Sequence, residues 1–497
     1  MAIAVAQSRA VLGIDAPRVT VEVHLGGGLP SLSVVGLPNT AVREARDRVR
    51  SALANSGFDF PSRRITVSLA PADLPKDGAR FDLAIALGIL AASRQIPRQA
   101  LTGHTFAAEL GLSGELRPVN AILPVALQCA RSADPLIVAE SNGAEASLAG
   151  GAVYPAAHLL DVCRHLTGES PLSAAQKTTP TARRAGRDLG EVIGQRRPRR
   201  ALEIAAAGAH SLLLKGPPGS GKSLLAETLP GLLPPMTDDE AMESAAIHSL
   251  VDGNDDPARL MRRPYRSPHH SASPTALTGG GNRPRPGEIS LAHHGVLFLD
   301  ELPEFPRQAL ETLREPLETG EIRIARASRH VRFPARFQLI AAMNPCPCGF
   351  LGDRQHECRC TPAQIQRYQQ RISGPLLDRI DMEVEVPRLP PDELTDQAAG
   401  ESSKTVAQRV AAARHRQMIR DGCPAAALAG QRLRRQCRLD EDGRRVMADA
   451  TRRFGLSARG WHRTLRVART IADLDDADEM RSSHLLEAIG YRQPIKR

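Results

Sequence analysis

The sequence predicts an α/β protein. Its centre is a parallel-sheet core with a phosphate-binding loop, flanked by a mixed N-terminal domain and a helical C-terminal one. Three observations carry this. Gly216-Pro217-Pro218-Gly219-Ser220-Gly221-Lys222-Ser223 matches G-x-x-x-x-G-K-[ST], with the buried-strand run Ser211-Leu-Leu-Leu before it and the helical run Leu224-Leu-Ala-Glu-Thr-Leu after it. Val296-Leu-Phe-Leu is a continuous apolar run, as a central strand covered on both faces requires, and it ends in Asp300 and Glu301. Residues 1–168 alternate strand-like and helical runs.

In order along the chain, Val19–Val23, Ser31–Val35 and Arg64–Leu69 read as strands, and Thr40–Asn55 and Leu83–Ser93 as helices, giving an α+β domain over 1–168. Residues 169–188 are rich in Ser, Thr, Ala, Pro and Arg without a periodic apolar face, which predicts a linker. The nucleotide-binding core spans 189–386. Proline-rich Val386-Pro-Arg-Leu-Pro-Pro closes it, and 387–497 reads as a helical domain rich in Ala, Leu and Arg. Within the core, the stretches 262–270 and 278–288 are too turn-rich for a plain crossover and predict an inserted loop or hairpin. Arg307–Leu317 reads as an amphipathic helix. Glu321–Phe333 alternates apolar and basic residues and reads as a β-hairpin turning near Ala327–Arg329. Ile322, Ile324, Val331 and Phe333 would share one face, and Arg323 and Arg332 the other. Gln338-Leu-Ile-Ala-Ala-Met is a further buried strand, ending at Asn344.

The residue types specify chemistry. Glycines in 216–221 let backbone N–H groups crowd around phosphate oxygens, helped by the helix N-terminus behind them. Lys222 would pair with the β/γ-phosphates of ATP, and the Ser223 hydroxyl and Asp300 would hold Mg²⁺. Glu301 would polarise the attacking water, and Asn344 stands where a polar group reaches that water and the γ-phosphate. The competing reading is a glycine turn with a stray lysine, and the flanking strand and helix disfavour it. Cys346-Pro-Cys348 and Cys358-Arg-Cys360 form two C-x-C pairs suited to tetrahedral Zn²⁺. Disulfides and a metal-free cluster are the alternatives. His269/His270 and His293/His294 read as hydrogen-bonding pairs rather than metal ligands, since no spaced carboxylate or cysteine accompanies them in sequence.

Composition sets bounds. Hydrophobic content of 42% and charged content of 24% in 497 residues are those of globular protein. No apolar run reaches the ~20 residues that span a bilayer, and the N-terminus lacks a basic n-region. A cytoplasmic protein with no membrane partner is therefore expected. The formal charge of +10 favours a polyanionic partner, although only six of the 65 basic residues are lysine, an arginine bias that genome composition also produces.

Several segments together resemble magnesium-chelatase-like AAA+ ATPases, and more closely the ComM/YifB competence family. They are Gly-Leu-Pro-Asn-Thr-Ala-Val-Arg-Glu-Ala (36–45), Pro-Lys-Asp-Gly-Ala-Arg-Phe-Asp-Leu (75–83), Arg-Ser-Pro-His-His (266–270), Arg-Pro-Gly-Glu-Ile-Ser-Leu-Ala-His (285–293), Asp-Glu-Leu-Pro-Glu-Phe (300–305) and Asn-Pro-Cys-Pro-Cys-Gly (344–349). The resemblance implies an AAA+ P-loop core with a C-terminal helical lid. It makes Asn344 the first sensor. It places Arg379, in Ser373-Gly-Pro-Leu-Leu-Asp-Arg, as a finger at a neighbour's γ-phosphate, and hence implies a homo-hexameric ring. Arg459, with Arg463 next, fits the second sensor; the competing reading for these arginines is a solvated helix face. The N-terminal domain resembles the ribosomal S5/Lon-like fold, but Arg80 stands at the Lon serine position and Leu123 near its lysine, so a non-proteolytic domain is implied.

The function implied is a motor that moves single-stranded or branched DNA, as in branch migration alongside recombination proteins. Arg323, Arg326, Arg329 and Arg332 would contact phosphate in the ring pore; the alternative is that they solvate an exposed hairpin. A protein-remodelling motor, as in magnesium chelatase, is the second reading.

Overall fold

The computed structural model describes residues 2–176, 186–251, 261–281, 284–326, 329–353, 355–389 and 400–492. Part of the expected linker, 177–185, and the hairpin turn residues Ala327 and Ser328 lie outside that set.

The N-terminal region folds around a seven-stranded mixed sheet in the order Ser31–Val35, Arg64–Ala70, Arg18–Gly26, Ala2–Arg9, Thr105–Ala107, Leu136–Ala139 and Val153–Ala156. Arg18–Gly26 shows why these segments are strands: Val19, Val21 and Val23 are buried while Glu22 and His24 face outward, a period of two. The buried face packs on helix Asp82–Ala92, and helix Thr40–Asn55 packs against that helix. Asp82–Ala92 is buried at every position, so its sequence carries no polar stripe.

The second unit is a five-stranded sheet in the order Tyr265–Arg266, Val296–Leu299, Gln338–Met343, Leu212–Lys215 and Met382–Glu385. All four pairings are parallel. Val296–Leu299 and Gln338–Met343 are buried at every residue, as the apolar runs Val296–Leu299 and Leu339–Met343 require. Because the strands run the same way, the segments that follow them emerge at one edge: the loop from Gly216, the Asp300-Glu301 pair, and Asn344.

The inserted stretch contains helix Pro274–Thr278, a two-residue hairpin pairing Gly279–Gly280 with Arg285–Pro286, and helix Glu288–Leu291. One expectation is corrected. Arg307–Leu317 is not a continuous helix but two short ones, Arg307–Glu311 and Pro316–Thr319, joined by a turn. Pro316 has no N–H to continue the first helix and is well placed as the first residue of the second.

The hairpin pairs Glu321–Arg326 with Arg329–Pro334, setting Ile322 opposite Phe333, Ile324 opposite Val331, and Arg323 opposite Arg332. Ile322, Val331 and Phe333 are buried. Their face docks on the N-terminal region at Gly13, which has φ +61° and where a Cβ would come within 2.9 Å of Val331 Cγ1. A second junction joins the Ala121 N–H to the Ser249 carbonyl, with Leu123 packed against Ala245. The C-terminal region is helical: Ser403–Asp421, Gly430–Gln436, Glu441–Phe454, Ala458–Leu474 and Ser482–Gly490. Ser403–Asp421 and Ala458–Leu474 pack on helix Arg196–Gly208 of the core. No helix among the described residues is long and apolar enough to cross a membrane.

Candidate active site

The phosphate loop follows strand Leu212–Lys215 and feeds helix Lys222–Leu232. Gly219 and Gly221 take φ of +75° and +89°, and Gly221 caps the helix without any side-chain bond to its first N–H groups. Those donors remain free to meet an anion, and the helix dipole favours one there. A cavity of about 410 Å³ opens above them, lined by Pro218 through Leu224 together with Asp300, Glu301, Met343 and Asn344.

Inside it, the polar groups satisfy one another. Lys222 is nearly buried; its Nζ donates to the carbonyls of Gly216 and Pro217 at 2.8 Å each and to Asn344 Oδ1 at 3.1 Å. Burial holds its pKa below the usual lysine value, partly offset by Asp300 and Glu301. Ser223 Oγ donates to Asp300 Oδ2 at 2.7 Å, so the hydroxyl and carboxylate are adjacent, as a shared hard cation needs. The residues present therefore fit ATP with Mg²⁺: an open helix N-terminus and a lysine for phosphates, and two adjoining oxygen ligands for the ion.

Glu301 adopts φ +51°, a conformation uncommon for a residue with a Cβ. Its carboxylate reaches His270 Nδ1 at 3.1 Å. His269 and His270 thus meet the expectation of hydrogen-bonding histidines, although the contact of His270 with Glu301 was not legible, because 30 residues of inserted loop and helix separate them in sequence. The second pair converges with Glu243: His293 Nε2 and His294 Nε2 lie 3.1 and 2.8 Å from Glu243 Oε2. His293 Nδ1 accepts from the Arg336 N–H, so its Nε2 carries the proton given to Glu243, and burial pushes its pKa down to about 4. A metal needs the Nε2 lone pair that this proton occupies, so the trio is a hydrogen-bonded clasp.

The four cysteines converge. Cys346 Sγ is 3.4 Å from Cys348 Sγ and 3.6 Å from Cys358 Sγ, and Cys348 N–H donates to Cys360 Sγ. All four sulfurs lie within 4.8 Å of one another. Thiolates around a tetrahedral zinc at ~2.3 Å stand about 3.8 Å apart, so the cluster is compatible with zinc. Backbone N–H groups, that of Phe350 first, draw the Cys348 thiol down to about 6. The cluster also abuts the phosphate loop: a Cβ on Gly349 would lie 2.6 Å from Pro218 Cδ, and Arg388 donates to the Pro218 carbonyl while pairing with Asp353.

Arg379 and Arg459 do not line this cavity. Arg379 is nearly buried, with Nη2 2.6 Å from Glu318 Oε1, and Arg459 Nη2 stands 3.5 Å from the same oxygen. Arg463 is spent on Asp381 Oδ1 at 2.8 Å and on the Arg379 carbonyl. Arg323 and Arg332 lie on the exposed face of the hairpin, where Arg323 pairs with Glu321; the side chains of Arg326 and Arg329 lie outside the described set. In the N-terminal region Arg80 is buried and donates to the Asn120 carbonyl, and Leu123 is fully buried.

Family models for the magnesium chelatase ChlI subunit match the chain in three blocks: residues 21–142, 188–394 and, for its C-terminal part, 400–492. The chain is 50% identical to YifB of Salmonella typhimurium, across 99% of this chain and 97% of that one. It is 49% identical to the competence protein ComM of Haemophilus influenzae, across 100% and 98%. A magnesium-chelatase 38 kDa subunit of Cereibacter sphaeroides is 26% identical over 31% of this chain and 51% of its own.

The roles expected of Lys222 and Glu301 separate binding from water activation. Glu301→Gln leaves Lys222, Ser223 and Asp300 in place, so nucleotide affinity should hold while turnover falls by roughly 10² or more, the scale of a lost positioned base. Lys222→Ala should weaken nucleotide binding itself. Titration with a fluorescent ATP analogue beside phosphate release measures both, and near-normal turnover in Glu301→Gln would contradict the assignment.

Proposed function

Since the chain belongs to the magnesium-chelatase-like ComM/YifB family of AAA+ proteins, we propose that it is a ring-forming ATPase that couples ATP hydrolysis to DNA translocation, serving branch migration when transforming DNA recombines. The observation that carries the ATPase half is the convergence of Lys222, Ser223, Asp300, Glu301 and Asn344 at one sheet edge. Lys222 and the open helix N-terminus hold the triphosphate. Ser223 and Asp300 would hold Mg²⁺, which would supply charge neutralisation to the bound phosphates. Glu301 orients the attacking water and accepts its proton, and Asn344 reaches that water and the γ-phosphate. Arg379, absent from its own chain's cavity, is lent to the site of the next subunit in a homo-hexamer.

The DNA half is supported by the formal charge of +10, by the hairpin that exposes Arg323 and Arg332, and by the full-length relative named a competence protein. Phosphate contacts from Arg323, Arg326, Arg329 and Arg332 would make binding sequence-independent and steeply salt-sensitive. A protein-remodelling motor is the second reading, favoured by the match of residues 188–394 to the chelatase subunit. Single-stranded DNA separates the two. It should stimulate the ATPase of the parent protein, and Arg326→Ala/Arg329→Ala should lose that stimulation with basal turnover nearly unchanged. No stimulation of the parent protein would favour the remodelling motor.

The cysteine cluster is proposed to hold one structural zinc. Elemental analysis of protein purified without chelator should find one zinc per chain, and Cys358→Ser should lower it and loosen residues 346–360. Zinc near zero in the parent protein would refute the assignment.

A further inference from the structure

Arg379 and Arg459 approach one carboxylate, that of Glu318, which stands half-exposed near the end of the short helix Pro316–Thr319. The other acceptors of Arg379 are neutral: Nε donates to the Arg314 carbonyl at 3.2 Å and Nη1 to that of Pro375 at 2.8 Å. Its backbone is pinned by Arg463, which reaches its carbonyl and Asp381. The base of Arg379 is therefore fixed and its guanidinium is satisfied. Two guanidiniums around one acceptor oxygen form the arrangement that binds a phosphate oxygen, here filled by an internal carboxylate.

We propose that Glu318 is a positioning residue that occupies, within each chain, the place a neighbour's γ-phosphate takes between Arg379 and Arg459, so that the two compete for the same pair of arginines. This rests on the reading of Arg379 as the residue lent to a neighbouring site. Glu318 sits three residues ahead of hairpin strand Glu321–Arg326, joined to it through Thr319 and Gly320. The Arg459–Glu318 pair is exposed on both sides and the Arg379–Glu318 pair on the carboxylate's side, so solvent screens the hold on Glu318.

The test is steady-state ATPase activity without DNA for four proteins: parent, Glu318→Gln, Arg379→Ala and the double variant. Glutamine keeps the shape and removes the competing charge, so Glu318→Gln should raise basal turnover about two- to five-fold, the range of a half-exposed ion pair. Arg379→Ala should erase that gain in the double variant. Unchanged or reduced turnover in Glu318→Gln, with an unchanged thermal midpoint, would overturn the proposal, as would a gain that persists without Arg379. A lowered midpoint with lower turnover would assign Glu318 a structural role and overturn it equally. If Arg379→Ala alone kept full turnover, the finger reading would fail first, and the proposal with it. Loss in Arg379→Ala with no effect of Glu318→Gln would keep the finger and reject only Glu318.

Discussion

The parallel pairing of strand Gln338–Met343 between Leu212–Lys215 and Val296–Leu299 is the constraint on which the site depends. Leu212 and Phe298 both register with Ile340, so the three strands are locked side by side. Parallel direction then delivers the phosphate loop, the two carboxylates and Asn344 to one edge with no further device. The register also explains the apolar monotony of these strands. Each is covered on both faces, where a polar side chain needs a partner, as Gln338 finds in the carbonyls of Ala205 and His210.

The same edge is tied to two other parts of the molecule. Asn344 is two residues ahead of Cys346, and the cysteine loop returns to press Gly349 on Pro218. The loop that carries the four sulfurs thus touches the phosphate loop directly. On the opposite flank, Glu243 clasps His293 and His294 just before strand Val296–Leu299, from the helix Asp238–Ser249 that meets the N-terminal region at Ala121 and Leu123. The hairpin likewise docks its apolar face near Gly13. The N-terminal region therefore touches the hairpin bearing the arginines and the helix that clasps the foot of the strand leading to Glu301, which gives it a physical route to the phosphate-loop cavity.

Much of this was legible in sequence where local pattern decides structure. Val296–Leu299, Gln338–Met343, Ser31–Val35 and Thr40–Asn55 occur with the predicted bounds, because burial on two faces, or on one stripe, writes itself into residue periodicity. The phosphate loop was legible because its chemistry needs fixed glycines and a lysine at fixed spacing. What sequence did not give is pairing at a distance. Nothing near Glu318 marks it as the partner of residues 61 and 141 positions away, and nothing in Arg-Ser-Pro-His-His marks His270 as the neighbour of Glu301. The helix expected over 307–317 failed for a local reason, since its apolar period ran through Pro316.

The central claim is that each ATP site is completed by the next subunit, and subunit mixing tests it most directly. Lys222→Ala chains lack a working loop but carry Arg379; Arg379→Ala chains carry the loop but lack the finger. Each alone should be inactive. Mixed in equal amounts and allowed to exchange, roughly a quarter of the boundaries in a head-to-tail ring should pair an intact loop with an intact arginine. ATPase activity should rise towards that fraction of the parent value. Rings shown to be mixed that remain as inactive as either variant alone would contradict the account.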